Sequence, residues 1–362
     1  MRRVAVNNLR PGMLIARAIL SRDGRILLHS GVVLTDSYIN RLKQLEITSV
    51  YIKDDLFGDY EIRDVVSEET RLNAIKVVQE SFGNLRKKHN LDIGSAKQAV
   101  DKIIDEILNN RSTLLNLANL QCFDEYTYNH SVNVCILSIL TGISMGYNRL
   151  QLSEIGIGAL FHDIGKTMVD IEILNKPEAL SRQEFAQIKQ HAEYGFNILR
   201  DYDDISLLSA HIAYQHHERW DGKGYPRNLK GEKIHDYSRI AAAADVCDAL
   251  LSDRPYRAAY SLIQTFNIMR DMAGIYLDNN CVTSLIANIS VYPIGTVVRL
   301  NTGNIGIVVD VNRQQPTRPI IRIVFDPQGH RLTNSYEIDL SKIPTIMITN
   351  YLSEEEIERL SG

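Results

Sequence analysis

The chain has 362 residues, of which 44% are hydrophobic and 23% are charged, and its formal net charge is −4. A single hydrophobic core usually stops growing near about 250–300 residues, so this length predicts two or three domains. The small negative charge excludes the basic excess that is typical of proteins that bind polymeric nucleic acid, and we expect no such partner.

The cysteine and apolar patterns indicate a cytoplasmic protein without membrane association. The four cysteines are far apart and form no CxxC pair, which predicts reduced thiols rather than a disulfide framework. The longest apolar stretch, residues 132–147, is shorter than the roughly 18–20 residues that cross a bilayer and contains serine and threonine. We therefore expect a buried helix there.

Residues 1–57 alternate short apolar runs with turn signals, which predicts a small α+β unit, and we assign it a regulatory role as a hypothesis. Within this unit, Thr35 is the expected N-cap of a helix. Residues 58–119 show helical periodicity and predict a helical linker region. One face of its second helix is apolar and consists of Val100, Ile103, Ile104, Ile107 and Leu108.

Residues 120–288 also have helical spacing and predict an all-α domain, in which Ser181 and Glu184 form a capping box. The apolar stripe expected to be buried after this cap consists of Phe185, Ile188, Ala192, Phe196 and Leu199. Residues 289–362 predict a small antiparallel β barrel or roll, including a strand at 345–348, followed by a short acidic helix. The predicted fold class is therefore mainly α, with a small α+β unit before the helical domain and a small β-rich unit after it.

Seven of the ten histidines lie between His130 and His235, inside the predicted helical domain. A single histidine on a helix is more often a packing or surface residue than a ligand, so the hypothesis of a functional site depends on the set. In "ALFHDIGK", His162 and Asp163 lie side by side at the end of an apolar helix that Gly165 is expected to stop. Neighbouring helical residues point about 100° apart, which suits two adjacent metals with Asp163 as a bridge.

Three further histidines are interpreted from their helical positions. His191 lies on the apolar side of its helix and is expected to point inward, where an imidazole needs a partner. His216 and His217 diverge by about 100° and are expected to reach the two metals from one helix end. The same geometry turns His211 away from them, and we expect it to have a structural role.

Asp245 falls in an alanine-rich helix, where a buried, ionised carboxylate is costly unless it has a cation as partner. Asp248, one turn later, is interpreted as a residue that supports a ligand or contacts a helix N-terminus. His130, at the start of the apolar helix, completes a set of five histidines and two aspartates. Such mixed ligands favour Fe, Mn or Zn. Two of these metals about 3.5–4 Å apart would clamp a phosphodiester for attack by a bridging hydroxide.

A phosphodiester also needs cations outside the metal ligands. Lys166 follows the His-Asp pair closely, and Arg254 and Arg257 follow the helix of Asp245. On this ground alone, the alternative that both arginines are solvated surface residues stays open.

Four ordered motifs, "HDIGK", "HAEYG", "HHERWDGKGYP" and "DVCDALLSDRPYR", together resemble the HD-GYP family of bacterial cyclic di-GMP phosphodiesterases. The resemblance covers about residues 115–285. It implies an HD-type metallo-hydrolase domain that hydrolyses cyclic di-GMP to pGpG and, in some members, to GMP.

The resemblance also implies roles for individual residues. The GYP loop of the family falls on Gly224, Tyr225 and Pro226, with Tyr225 as an expected substrate contact. Lys166, Arg254 and Arg257 match its phosphate-binding residues, and we expect Asp163 and Lys166 to be catalytic. The metal-ligand motif falls on His130, His162, Asp163, His191, His216, His217 and Asp245.

Members with a third metal have a glutamate four residues before the first histidine, where this chain has Tyr126. We therefore expect two divalent metals, Fe or Mn, with Zn as an alternative. The rival hypotheses are a catalytically silent cyclic di-GMP receptor and another nucleotide phosphohydrolase of the HD superfamily. The complete ligand set argues against the first, and the GYP loop argues against the second. A homodimer is expected on general grounds.

Overall fold

A computed structural model of the chain describes residues 2–20, 26–45, 47, 49–53, 64–87, 90–110, 114–115, 126–174, 176, 178–252, 259–312 and 315–361. Contacts divide the chain into two compact units. One comprises Met1–Val65, Asn110–Asp124 and Ile289–Gly362, and the other comprises Val66–Asn109 and Glu125–Asn288. The prediction of a mainly α fold with small β-containing parts is confirmed.

The N-terminal residues form two small antiparallel sheets and one helix. Strands β1 (Arg2–Ala5), β2 (Leu14–Ile15) and β5 (Ser49–Lys53) form a sheet in the order β1-β5-β2, and β3 (Ile19–Leu20) pairs with β4 (Ile26–Leu28). Helix α1 (Asp36–Gln44) begins after the expected cap, because the Thr35 side chain accepts a hydrogen bond from the backbone of Tyr38. The core of this part includes Val4, Ile15, Ile39, Leu42, Val50 and Ile52.

The second unit is helical. Its helices are α2 (Glu68–Arg86), α3 (Ile93–Asn109), α4 (Tyr126–Ser144), α5 (Arg149–Leu160), α6 (Ile171–Leu174), α7 (Arg182–Lys189), α8 (His191–Arg200), α9 (Leu207–Gln215), α10 (Asp236–Leu251), α11 (Leu262–Met272) and α12 (Asn279–Ile286). Helix α4 is central and contacts α2, α5, α10 and α12. Every residue from His130 to Leu140 is buried, as expected for the longest apolar stretch. Among the described helices, none has the length and apolar character needed to cross a membrane.

A break at Gln190 separates α7 from α8. The predicted capping box of Ser181 and Glu184 is present at the start of α7. The expectation that Phe185 is buried was wrong, because the residue is 46% exposed. The break ends the helical register on which that expectation depended, so residues of α7 and α8 do not share one continuous face.

The C-terminal residues form a five-stranded antiparallel sheet in the order β10-β6-β7-β8-β9, followed by helix α13 (Glu354–Ser361). Its strands are β6 (Val297–Leu300), β7 (Ile305–Asp310), β8 (Ile320–Phe325), β9 (Arg331–Asp339) and β10 (Ile348–Tyr351). Both faces of the sheet carry an apolar cluster, since Val297 packs with Ile357 of α13 and Val298 packs with Leu340. The strand predicted at 345–348 was displaced, and only its last residue belongs to β10.

Close backbone packing fixes the turn that follows α5. Helix α5 ends at Leu160, before His162 and Asp163, and a 3₁₀ helix (Ile164–Met168) follows them. Gly165 therefore does not end the helix as expected but lies inside this 3₁₀ helix. A Cβ atom at Gly165 would overlap the carbonyl oxygen of His191 and the backbone nitrogen of Gly195. Glycine thus permits the close approach of the His-Asp turn to α8.

We expect Gly165→Ala to lower the free energy of unfolding by about 1–3 kcal/mol, because the added methyl group forces two backbone segments apart. Chemical denaturation measures this effect. Gly83→Ala in α2 is the matched control, because a Cβ there meets nothing within 4 Å. That change is expected to raise the free energy of unfolding by about 0.5–1 kcal/mol. Equal effects of the two substitutions would contradict the packing argument.

Candidate metal centre

The seven predicted ligands are brought together in two neighbouring groups. Within each group, one potential ligand atom of every residue lies within 4.8 Å of the others. The first group is Asp163, His191, His216 and His217, and the second is His130, His162 and Asp245. These residues come from α4, α8, α10 and the segments that follow α5 and α9.

His216 and His217 do not diverge to the two groups as expected, since both belong to the first group. Helix α9 ends at Gln215, His216 is its C-cap and His217 lies in the following turn. The angle between neighbouring residues of a regular helix therefore does not apply to this pair. Their ring centroids are only 4.0 Å apart.

The Asp163 carboxylate connects the two groups. Its Oδ1 lies 3.4 Å from His191 Nε2 and 3.8 Å from His216 Nε2, both in the first group. Its Oδ2 lies 3.4 Å from His162 Nε2 and 3.9 Å from His130 Nε2, both in the second group. One oxygen thus faces each group, which is the arrangement of a bridging carboxylate.

The hydrogen bonds of the histidines test whether these residues suit a cation. The Nδ1 atoms of His162, His191 and His216 lie 2.8, 2.6 and 3.0 Å from backbone carbonyl oxygens, so each donates a proton and leaves its Nε2 with a lone pair. His162 Nε2 is buried without a hydrogen-bond partner among the described residues. The Nε2 atoms of His191 and His216 face each other at 3.4 Å, where two lone pairs repel. A cation beside His162 Nε2 and another between the Nε2 atoms of His191 and His216 would remove these problems.

The protonation directions of the first group also suit metal ligands. Burial, together with the neighbouring histidines, lowers the pKa of His217 to about 3 and the pKa of His216 well below its usual value. Burial likewise lowers the pKa of His191. Burial disfavours an ionised Asp163, but Lys166 and the nearby histidines outweigh it and hold the pKa of that carboxyl well below its usual range. Neutral imidazoles and ionised carboxylates are the forms that bind metals.

A chain of buried polar groups holds His130 in place. Its Nδ1 donates to Asp248 Oδ2 at 2.7 Å, and Asn133 donates its side-chain amide to Asp248 Oδ1 at 2.8 Å. Arg71 of α2 in turn donates to Asn133 Oδ1 at 3.2 Å. The His130 Nε2 therefore points to Asp245, whose Oδ1 is 3.2 Å away. Asp248 supports a candidate ligand and is not itself in either group, in agreement with its interpretation from the sequence.

The Gly224–Pro226 turn folds back over the end of α9. A Cβ at Gly224 would overlap the backbone of Glu218 and Arg219, so only glycine permits this approach. Glu218 is buried and accepts hydrogen bonds from the backbone of Arg227 at 2.7 Å and of Leu229 at 2.9 Å, which fixes the loop. The Tyr225 ring packs on His217 with centroids 4.6 Å apart.

Lys166 lies beside the Asp163 oxygen that faces the second group. Its Nζ is 2.5 Å from Asp163 Oδ2, and its side chain is 31% exposed, so it has access to solvent and to the carboxylate. Arg254 and Arg257 lie outside the described residues. His211 packs on Phe196, with centroids 5.0 Å apart, and belongs to neither group, as expected.

Comparison with known proteins decides the family. The cyclic di-GMP phosphodiesterase PA4108 of Pseudomonas aeruginosa is 32% identical over 291 residues, which cover 79% of this chain and 70% of that protein. The chain belongs to the HD-GYP family. A cyclic di-GMP phosphodiesterase of Thermotoga maritima is 41% identical to this HD-GYP protein over 152 residues, which cover 42% of this chain and 41% of the relative. The resemblance seen in the sequence is thereby confirmed.

Family models agree with this membership, and a solved structure has a similar fold. A model described as HD domain matches residues 113–281, and one described as KOW domain associated with HD domain matches residues 297–360. The HDG"Y"P protein Bd1817 of Bdellovibrio bacteriovorus has a similar fold, with a TM-score of 0.53 and 20% identity. The match covers 78% of this HD-GYP chain and 97% of that chain.

The sequence did not reveal Asn133 and Arg71 as supports of the metal centre. Asn133 follows His130 by three residues and so lies on the same face of α4, a signal that helical spacing offers. Arg71 is 62 residues away from Asn133, and no local pattern links the two. Only the packing of α2 on α4 brings them together.

We expect Asp248→Asn to lower the affinity for Mn²⁺ by about 10–100-fold, because a neutral amide orients and polarises His130 less well than a carboxylate. Competition with a chelator of known affinity measures the change. Asp271→Asn, an exposed position on α11, is the matched control and should bind the metal as the unchanged protein does. An unchanged affinity in Asp248→Asn would contradict the supporting role of this carboxylate.

Proposed function

We propose that this HD-GYP protein is a metal-dependent phosphodiesterase that hydrolyses cyclic di-GMP to pGpG, with GMP as a further product. One observation carries the proposal: a complete set of five histidines and two aspartates forms two adjacent groups joined by Asp163. Two relatives in the same family are cyclic di-GMP phosphodiesterases.

The proposed cofactors are two divalent metal ions, Fe or Mn, with Zn as the alternative. Imidazole nitrogens together with carboxylate oxygens form a donor set that these metals share. His130, His162 and Asp245 would hold one ion, and His191, His216 and His217 the other, with Asp163 between them. When bound, two such ions activate water for attack on phosphorus and stabilise the negative charge of the phosphate oxygens.

The other proposed site residues bind and orient the substrate. Lys166, beside Asp163 and partly exposed, is suited to offset the charge that builds up on the phosphate. Tyr225 covers His217 and presents its ring to an incoming nucleotide, while Gly224 and Pro226 shape the turn that holds it. Arg254 and Arg257 are proposed as additional phosphate contacts on the basis of the family motif.

Two alternatives make different demands on the molecule. A catalytically silent receptor would bind cyclic di-GMP without turnover and would be expected to lack at least one metal-ligating residue. In this chain, all seven positions of the ligand motif hold a histidine or an aspartate. Another HD-superfamily nucleotide phosphohydrolase would not require the Gly224–Pro226 turn against His217. The complete groups and the turn therefore favour the phosphodiesterase.

The proposal also covers the domain roles, the cellular location and the partners of the enzyme. Residues 120–288 would form the catalytic domain, and residues 1–57 would be regulatory. We propose a cytoplasmic location, which agrees with the free, buried thiols of Cys135, Cys247 and Cys281. We further propose a homodimer and no polymeric nucleic acid as partner.

The deciding experiment is an assay of the purified protein with cyclic di-GMP under reducing conditions, with Fe²⁺ or Mn²⁺ and with bound metal measured in the same sample. We expect pGpG to appear in proportion to the bound metal. Binding of cyclic di-GMP without hydrolysis in protein that holds two metals would favour the silent receptor. Hydrolysis of mononucleotides in preference to cyclic di-GMP would favour the other phosphohydrolase.

His216→Ala and His211→Ala form a matched pair, with His211 inside α9 and His216 at its C-cap. We expect His216→Ala to lower kcat/KM for cyclic di-GMP by more than about a hundredfold, since even the partners of metal ligands are worth about 10–100-fold. His211→Ala, which removes a ring that packs on Phe196, should keep activity within about threefold, because the metals stay bound. Retained activity in His216→Ala would remove this histidine from the proposed ligands.

A further inference from the structure

An aromatic ring and a lysine at the end of α7 lie beside the Gly224–Pro226 turn. Phe185 and Lys189 are one helical turn apart, and Lys189 Nζ lies 4.7 Å from the ring centroid of Phe185. The same Nζ lies 5.1 Å from the ring centroid of Tyr225, which itself packs on His217 at 4.6 Å. A single ring therefore separates this ammonium group from a candidate metal ligand.

The charge of Lys189 is not neutralised by its neighbours. Glu184, the adjacent acidic residue of α7, accepts hydrogen bonds from Lys176 at 2.7 and 3.0 Å and from the backbone of Ser181 at 2.7 Å. Lys189 forms no ion pair with the carboxylates that the structure describes. Among the described residues, its ammonium group contacts the rings of Phe185 and Tyr225 only. An ammonium held over aromatic rings keeps its charge and can still pair with an anion.

Phe185 adds an apolar surface next to this charge. The residue is 46% exposed, and the ammonium of Lys189 lies over its ring. Exposed aromatic rings near a cation are the elements with which proteins hold nucleotides, because bases stack on the ring while the cation contacts the phosphate. The exposed ring of Phe185 is open to such a ligand.

We propose that Phe185 and Lys189 form a second substrate-binding subsite, in which the ammonium pairs with the phosphate that is not cleaved and the ring supports a base. This inference rests on the proposed function. A cyclic dinucleotide has two phosphates, and the metal groups hold only the one that is attacked. The other phosphate needs a cation outside the metal groups, and Lys189 supplies one in addition to the phosphate contacts proposed for Arg254 and Arg257. The subsite therefore selects cyclic dinucleotides over diesters that carry a single phosphate.

The test compares two substrates in the metal-loaded enzyme. Lys189→Met keeps a long apolar side chain on the rings but removes the charge. We expect its KM for cyclic di-GMP to rise about 10- to 100-fold, the range for one charge-assisted contact, while kcat stays within about twofold. For bis(p-nitrophenyl) phosphate, which has one phosphate, both constants should stay within about twofold. Lys189→Arg, which restores the charge, should bring the KM for cyclic di-GMP back toward that of the unchanged enzyme.

Controls separate binding from structure. Lys76→Met, at a lysine of α2 whose side chain is 68% exposed, should leave both substrates unaffected. Bound metal per chain is measured in every variant, because Lys189 lies two residues from His191. An unchanged KM for cyclic di-GMP in Lys189→Met, or an equal loss with both substrates, would overturn the subsite and leave the proposed function intact. If the unchanged enzyme neither binds nor hydrolyses cyclic di-GMP, the proposed function fails and the subsite fails with it.

Discussion

The Asp163 carboxylate is the constraint on which the helical unit depends. Its two oxygens face two separate groups of candidate ligands. Lys166 Nζ contacts one of these oxygens, Oδ2, at 2.5 Å. The carboxylate is buried, so its charge must be offset by neighbours, and the polar groups around it cannot move far without leaving it unpaired. Close packing of Gly165, in the 3₁₀ helix that follows Asp163, against α8 holds this residue at the junction.

The surrounding architecture serves to orient groups that would otherwise be costly to bury. Three imidazoles are fixed by backbone carbonyls of their own chain segments, so their free nitrogens converge without other side chains. His130 is instead oriented from a distance through Asp248, Asn133 and, in α2, Arg71. The candidate metal centre is therefore linked to α2, which begins at Glu68.

The sequence was informative where a residue type and its order carry the chemistry, and less so where geometry depends on helix ends. Histidines and aspartates within helical patterns identified the candidate ligands, since few other roles explain so many in one domain. Their division between the groups was not predictable for His216 and His217, because α9 ends just before them. The exposure of Phe185 was missed for a similar reason, since the break at Gln190 is not marked by glycine or proline.

The proposal that Asp163 joins two metal ions is tested by anomalous X-ray diffraction from crystals of the Mn²⁺-loaded protein. We expect two anomalous peaks on opposite sides of this carboxylate. One should lie among His191, His216 and His217, and the other among His130, His162 and Asp245. A single peak, or two peaks of which neither contacts Asp163, would contradict the account.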